Sequence, residues 1–134
     1  MAGLYIDTSA LARVMLGEPD TPAVAAALAS FEQHFSSRLL AIELRRVALR
    51  EAMPAVADAL LGSVALVPLD EAIMVRAETV MPAGVATLDA LHLATALHLT
   101  DAGLVTTLLT YDERLAAGAR EHGLPSLAPT AEHG

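Results

Sequence analysis

The sequence contains no cysteine, so disulfide bonds and metal sites built on thiolates are excluded. It also contains no lysine, because all 8 of its strongly basic residues are arginine. A P-loop, which needs a lysine to reach the phosphates of a nucleotide, is therefore excluded. The sequence also lacks the Gly-x-Gly-x-x-Gly fingerprint of a dinucleotide site and the His-Glu-x-x-His motif of a zinc protease. Because His92 and His98 do not share a helix face, we expect the histidines to be ordinary core or surface residues.

No apolar run approaches the roughly 20 residues that a membrane-spanning helix needs. The most apolar stretch, residues 55–69, is interrupted by Asp58, Gly62 and Pro68. Near the N-terminus, Asp7 falls where the apolar region of a signal peptide would form. We therefore expect a cytoplasmic protein with no membrane segment, whose mean hydropathy of +0.51 reflects a buried core.

Acidic residues outnumber basic ones by 16 to 8, which gives a formal net charge of −8. This balance counts against non-specific binding of nucleic acids, because neutralised phosphates supply most of that affinity. Divalent cations held among the acids would offset the repulsion locally. Half of the arginines nevertheless form one basic cluster, at positions 38, 45, 46 and 50.

The length of 134 residues suits a single domain, which we predict to span residues 1–134. Short apolar and β-branched runs alternate along the chain with longer stretches of helical pattern. This alternation predicts an α/β sandwich around a mostly parallel central sheet of four or five short strands. The predicted strands cover residues 4–6, 35–38, 64–67, 105–110 and 124–127, and the predicted helices cover 9–16, 22–35, 39–53, 54–62, 69–80, 88–99 and 112–122.

Acidic side chains follow the predicted strands at the edge where parallel sheets bind their ligands. Asp7 comes directly after the first strand, and Asp112 follows the fourth by one residue. Glu43 lies in the first turns of the helix after the second strand, and Asp89 lies at the start of another helix. Carboxylates grouped in this way repel one another unless protons or cations neutralise them. Sites made only of oxygen ligands suit Mg²⁺ or Mn²⁺.

Each acid also has an ordinary structural explanation. An aspartate at the start of a helix usually caps it or interacts with the helix dipole, as Asp89 could, and Asp7 and Asp112 could likewise cap the helices that follow them. Glu43 could pair with an arginine further along its own helix. The sequence alone does not decide between these roles and a common site.

Four short motifs together resemble the PIN-domain proteins, specifically the VapC-type toxins of bacterial toxin–antitoxin pairs. They are Tyr-Ile-Asp-Thr-Ser at residues 5–9, Glu43 in its helix, Asp-Ala-Leu-His-Leu-Ala-Thr-Ala at residues 89–96, and Thr-Tyr-Asp at residues 110–112. The third of these is the most specific, and their order and spacing extend the resemblance over nearly the whole chain.

The resemblance implies a three-layer α/β/α fold and Mg²⁺- or Mn²⁺-dependent cleavage of RNA. It also implies homodimers and inhibition by a small cognate antitoxin of the VapB kind. By resemblance the metal-binding and catalytic acids are Asp7, Glu43 and Asp89, with Asp112 as a fourth that varies most in the family. The resemblance further implies that supporting hydroxyls come from Thr8, Ser9 and Thr110.

Two functions remain as hypotheses. In the first, the protein is an endoribonuclease toxin, and Arg46 and Arg50, one and two turns beyond Glu43, contact the RNA. These two arginines could equally form a solvated, ion-paired helix face. In the second, the protein is a non-catalytic α/β module whose acidic cluster binds a basic partner.

Overall fold

The computed structural model describes residues 2–131, so the ends of the predicted domain, residue 1 and residues 132–134, lie outside the described residues. Within that range the chain alternates between helices and short strands. The strands are β1 (Gly3–Ile6), β2 (Gln33–Ser37), β3 (Ala65–Val67), β4 (Thr107–Leu109) and β5 (Ser126–Leu127). The helices are α1 (Thr8–Met15), α2 (Thr21–Ala29), α3 (Arg38–Glu51), α4 (Pro54–Leu61), α5 (Glu71–Thr79), α6 (Thr87–Asp101) and α7 (Glu113–Glu121).

The strands form one five-stranded sheet in the order β3-β2-β1-β4-β5, and every pairing is parallel. The chain builds outwards from β1 through β2 to β3, and then crosses to the other side of β1 for β4 and β5. In register, Tyr5 of β1 lies between Phe35 of β2 and Leu108 of β4. The strand order therefore reverses at the carboxyl end of β1, which is where open α/β sheets bind ligands.

Side chains of β1 alternate between the two faces of the sheet, as the two-residue period of a strand requires. Leu4 and Ile6 pack into an apolar cluster with α1, α3 and α4, whereas Tyr5 packs into a second cluster with α6 and α7. Helices thus cover both faces of the sheet. The predicted three-layer α/β/α sandwich is confirmed, and its central sheet is parallel throughout.

The order of strands and helices agrees with the prediction, but several boundaries differ. The predicted helix over residues 22–35 was too long, because α2 ends at Ala29 and residues 33–35 belong to β2. Those residues pair with β1 on one side, and β2 pairs with β3 on the other. Strand pairing therefore overrides the helical pattern of the Ala-rich segment. The fourth strand is also shorter than predicted, covering Thr107–Leu109.

The start of β1 lies unusually close to the loop between α6 and β4. A Cβ atom added at Gly3 would lie 1.9 Å from the backbone oxygen of Leu104 and 3.0 Å from the ring of Phe35. Only glycine allows this approach. This close approach fixes the position of β1 along the strand direction relative to its neighbours, and hence the position of the residues that follow β1.

None of the helices in the described part of the chain is long and apolar enough to cross a membrane.

Candidate functional site

The predicted acids come together at the carboxyl edge of the sheet, around the end of β1. Asp7 follows β1, Glu43 is carried by α3, Asp89 by the first turn of α6, and Asp112 precedes α7. Contacts described below link these four side chains into one group, which we call the acidic cluster. The roles of its members in catalysis and metal binding stay predictions.

Asp7 is the most buried member of the cluster, with 4% of its surface exposed. Its Oδ2 atom accepts hydrogen bonds from Ser9 Oγ at 2.7 Å and from Thr110 Oγ1 at 2.8 Å. The Ser9 backbone N–H also donates to Oδ2, so Asp7 caps α1. The capping and site roles of Asp7 are therefore compatible. Its other oxygen, Oδ1, lies 3.6 Å from Nε2 of His92.

Glu43 is held by two donors on one oxygen. Its Oε1 atom accepts from Thr8 Oγ1 at 2.5 Å and lies 2.8 Å from His92 Nε2. Burial raises the pKa of Glu43, but the hydrogen bonds from His92 and Thr8 outweigh it, so the pKa lies below its ordinary value. Glu43 is therefore ionised at neutral pH. Within residues 2–131 it pairs with no arginine, so the suggested ion pair along α3 is wrong.

Asp89 lies beside two other acids of the cluster. Burial raises its pKa to about 6, and the negative charges of Asp112 and Asp7 and a side-chain hydrogen bond with Asp112 add to this effect. Asp89 is the third residue of α6, whose capping residue, Ala86, provides no side-chain hydrogen bond. Asp89 therefore does not cap α6, but as an acid in the first turn it still interacts favourably with the helix dipole. Its raised pKa reflects burial first and the neighbouring negative charges second.

Asp112 has two roles. Its Oδ1 atom accepts from the backbone N–H of Leu115 at 2.9 Å, so it caps α7. Its own backbone N–H donates to Thr110 Oγ1 at 3.0 Å, the same hydroxyl that binds Asp7. Thr110 thus ties Asp112 to Asp7, while Asp89 lies on α6 close enough for the charge of Asp112 to raise its pKa.

His92 lies between the acids, and the sequence prediction missed its place in the site. Only 1% of its surface is exposed, and its ring contacts Tyr5 through Nδ1 and Glu43 through Nε2. The expectation that it is a core residue is right about burial, but it overlooks the polar partners. Because His92 follows Asp89 by three positions, both lie on one face of α6, and this spacing was the available signal.

Arg46 and Arg50 are exposed on α3. Neither forms an ion pair within residues 2–131, whereas Arg45 binds Asp58 at 3.1 Å. They follow Glu43 by three and seven positions, so the three side chains leave the same side of the helix. Apart from lying on the same side of α3 as Glu43, these arginines form no ion pair with the four acids in residues 2–131.

The acidic cluster offers only oxygen atoms besides the His92 ring, a donor set that fits a hard divalent cation. In residues 2–131, however, no three Asp, Glu or His side chains are arranged so that they could already hold a metal ion. The chemistry of the cluster therefore fits Mg²⁺ or Mn²⁺, although its side chains in residues 2–131 are not arranged around one common ion position.

A parallel sheet flanked by helices, with carboxylates grouped beyond its central strand, is found in PIN domains. The PIN domain family model matches residues 4–121, a range that contains all four acids, and the chain belongs to this family. Its relatives include Ribonuclease VapC47 of Mycobacterium tuberculosis, 36% identical over 96% of this chain and 98% of the relative. Ribonuclease VapC46 of the same species is 32% identical over 97% of this chain and 100% of the relative. The resemblance to VapC-type PIN proteins is therefore confirmed.

Two solved structures share the fold at 18% sequence identity. One is a toxin–antitoxin complex from Klebsiella pneumoniae, with a TM-score of 0.72 over 96% of this chain and 99% of that chain. The other is VapC20 of Mycobacterium tuberculosis, a sarcin–ricin loop cleaving toxin, with a TM-score of 0.72 over 94% of this chain and 99% of that chain.

Proposed function

We propose that this protein is a metal-dependent endoribonuclease and the toxin of a type II toxin–antitoxin system. The observation that carries the proposal is the closeness of Asp89 to Asp112 and Asp7; burial first, and then the negative charges of these two acids, raise the pKa of Asp89 to about 6. Carboxylates placed side by side cost the fold stability unless a proton or a cation neutralises them, and a bound ion would do so. The names of the relatives, Ribonuclease VapC47 and Ribonuclease VapC46, supply the reaction class.

Mg²⁺ or Mn²⁺ would be held by Asp7, Glu43, Asp89 and Asp112. When bound, such an ion lowers the pKa of a water molecule and offsets negative charge on a phosphodiester. The protein's own part is to hold the ligands still before the substrate arrives. Hydroxyls fix Asp7 from Ser9 and Thr110, and Thr8 fixes Glu43.

RNA would approach along the side of α3 that carries Glu43. Arg46 and Arg50 have no acidic partner within residues 2–131 and are therefore free to contact phosphates. Beside Asp112, a cavity of about 460 Å³ gives further room at this edge of the sheet. These two arginines would offset locally the repulsion between RNA and a chain of net charge −8.

A small VapB-like antitoxin and a second copy of the chain are the proposed protein partners. A structural neighbour of the same fold is described as a toxin–antitoxin complex, which supports the first. Exposed apolar side chains offer surface that such partners would cover. The larger ones are Leu16, Ile42, Leu49, Val56, Met74, Val75, Met81, Leu88, Leu104 and Leu127.

The reaction is tested by incubating purified protein with a labelled structured RNA in Mn²⁺ or in excess chelator. We expect cleavage in Mn²⁺, no cleavage in chelator, and no cleavage by Asp89→Asn. Asp101→Asn is the matched control, because Asp101 is exposed and pairs with Arg76 away from the cluster. Equal cleavage by Asp89→Asn and Asp101→Asn would contradict the proposal. An absence of cleavage combined with tight binding of a basic partner would favour the non-catalytic module instead.

Partner binding is tested by light scattering on the protein alone and with the product of a small neighbouring open reading frame. We expect a dimer in the first measurement and a larger stable complex in the second. A monomer that captures nothing would contradict both partner proposals while leaving the nuclease proposal standing.

A further inference from the structure

A buried series of hydrogen bonds runs from the end of β2 to Glu43. The backbone N–H of Ser37 donates to the hydroxyl of Tyr5 at 3.1 Å, and that hydroxyl lies 2.7 Å from Nδ1 of His92. On the other side of the ring, Nε2 lies 2.8 Å from Oε1 of Glu43. Four elements, β2, β1, α6 and α3, thus meet through three side chains.

The direction of these bonds follows from the number of protons available. Tyr5 has one hydroxyl proton, and its oxygen already accepts from Ser37. In residues 2–131 the Tyr5 hydroxyl lies within hydrogen-bond geometry of two groups, the Ser37 N–H, which can only donate, and His92 Nδ1, which is therefore the acceptor for the Tyr5 proton. Burial raises the pKa of Tyr5 far above its ordinary value, so the hydroxyl keeps its proton.

His92 Nδ1 must therefore accept, because a proton on Nδ1 would leave the buried Tyr5 proton without a partner. The ring proton then lies on Nε2, which faces Glu43. Tyr5 thus selects the tautomer of His92 that donates to the carboxylate. The same logic sets the tautomer of histidines in other sites, where the bond made by one ring nitrogen decides the state of the other.

We propose that His92 is a positioning residue that holds Glu43 for the ion, acting as a fixed hydrogen-bond donor set by Tyr5. The inference rests on the proposed metal-dependent function. Both His92 and Thr8 donate to Oε1, so Oε2 is left without a hydrogen-bond partner in residues 2–131. A glutamate otherwise loses considerable rotamer freedom when it binds an ion, and prior fixation removes that cost.

Two amide substitutions separate this role from simple packing. In His92→Gln the amide nitrogen falls close to the place of Nε2, so a donor to Glu43 is retained. In His92→Asn the side chain is shorter and loses that contact, although it is equally polar and uncharged. We expect His92→Asn to weaken Mn²⁺ binding by about 10- to 100-fold. This is the usual effect of losing a residue that hydrogen-bonds a metal-binding side chain. We expect His92→Gln to retain most of the affinity.

Mn²⁺ affinity is measured by electron paramagnetic resonance titration, with kcat and KM for RNA cleavage alongside. We expect kcat to follow Mn²⁺ affinity and KM for RNA to change little. Equal Mn²⁺ affinities in the parent and both variants would overturn the inference, and so would equal losses in both variants. A parent that neither binds Mn²⁺ nor cleaves RNA would instead overturn the proposed function, and with it the role of His92.

A measurement on the parent protein makes the test independent of how the variants fold. The ¹⁵N chemical shifts of the His92 ring report which nitrogen carries the proton. We expect Nε2 to carry it in the parent and the Nδ1 form to become populated in Tyr5→Phe. A proton on Nδ1 in the parent would overturn the inference even if both amide variants failed to fold.

Discussion

Thr110 Oγ1 donates a 2.8 Å hydrogen bond to Asp7 Oδ2 across a separation of 103 residues in the sequence. The same hydroxyl oxygen accepts from the backbone N–H of Asp112 at 3.0 Å. One buried hydroxyl therefore joins the end of β1 to the start of α7. It connects two acids of the cluster, Asp7 and Asp112, through hydrogen bonds to one oxygen.

Thr110→Val should lower both stability and activity. The substitution keeps the shape of the side chain, but it leaves the Asp112 N–H without a partner and removes one of the two hydroxyls that donate to Asp7 Oδ2. We expect the free energy of unfolding to fall by about 1–3 kcal/mol and RNA cleavage to fall more than stability explains. Thr107→Val is the matched control, since it changes the same atoms in β4, where the hydroxyl has no hydrogen-bond partner in residues 2–131. Denaturant titration of both variants checks the difference, and equal unfolding energies would contradict it.

In the metal-free protein, Asp89→Asn should remove the pH dependence of folding stability that Asp89 causes. The folded-state pKa of about 6 lies above the ordinary 3.8, so the folded state keeps a proton that the unfolded chain releases. Stability of the parent in chelator therefore falls as pH rises from about 4 to 6, and the loss persists above that range. The uncharged amide of the Asp89→Asn variant has no proton to release, so the variant does not show this fall.

Thermal melts in chelator at pH 4 and pH 7.5 measure the effect. We expect Asp89→Asn to melt above the parent at pH 7.5, with a smaller difference at pH 4, whereas Asp101→Asn should follow the parent at both. Mn²⁺ should raise the melting temperature of the parent at pH 7.5 and that of Asp89→Asn much less. If Asp89→Asn melted below the parent at pH 7.5, Asp89 would be a stabilising residue and not a crowded one.

Arg46→Gln and Arg50→Gln should weaken RNA binding with little effect on the reaction itself. Each contact with a single-stranded phosphate contributes about 0.7 to the slope of log affinity against log salt. We expect each variant to raise KM, leave kcat close to that of the parent, and reduce the salt slope by about that amount. Arg76→Gln serves as the control, because Arg76 already pairs with Asp101 at 2.9 Å. Unchanged salt slopes would remove both arginines from the RNA interface.

Gly3→Ala should destabilise the fold, because the new Cβ would meet the backbone oxygen of Leu104 at 1.9 Å. A backbone obstacle does not rotate away, so we expect a loss of about 3 kcal/mol, near the upper end for overpacking. Gly84→Ala is the control, since a Cβ there meets nothing within 4 Å, and its effect should stay within about 0.5 kcal/mol. Urea denaturation compares the two, and a small loss at Gly3 would mean that β1 shifts without cost.

Much of the site follows from the sequence because parallel strands place their carboxyl ends at one edge. That rule was enough to group Asp7 with Asp112 without knowledge of any contact. The alternation of apolar runs and helical patterns likewise predicted an α/β sandwich around a mostly parallel sheet, and the family resemblance implied its three layers. The end of α2 escaped prediction because alanine favours a helix locally, while β2 is stabilised by strands that lie far away in the sequence.

The place of His92 could not be predicted from the residues themselves. Its contacts depend on how α6 is rotated against β1, which decides whether the ring meets Tyr5 or an apolar side chain. The T-shaped contact of the two rings, with centroids 5.8 Å apart, is a property of that rotation. No spacing rule in the sequence fixes it, although the three-residue interval from Asp89 indicated the correct face.

The position of β1 at the centre of the sheet also sets an order of events during synthesis. Asp7 leaves the ribosome early, but β4, which flanks β1 on its second side, is made only with residues 107–109. Until then Asp7 lacks Thr110, and Asp89 lacks Asp112 beside it. In the nascent chain the four acids are therefore separated, and the cluster can assemble only after residue 112 has been translated. A chain halted before β4 would expose the bare edge of β1, a surface that invites pairing with other chains.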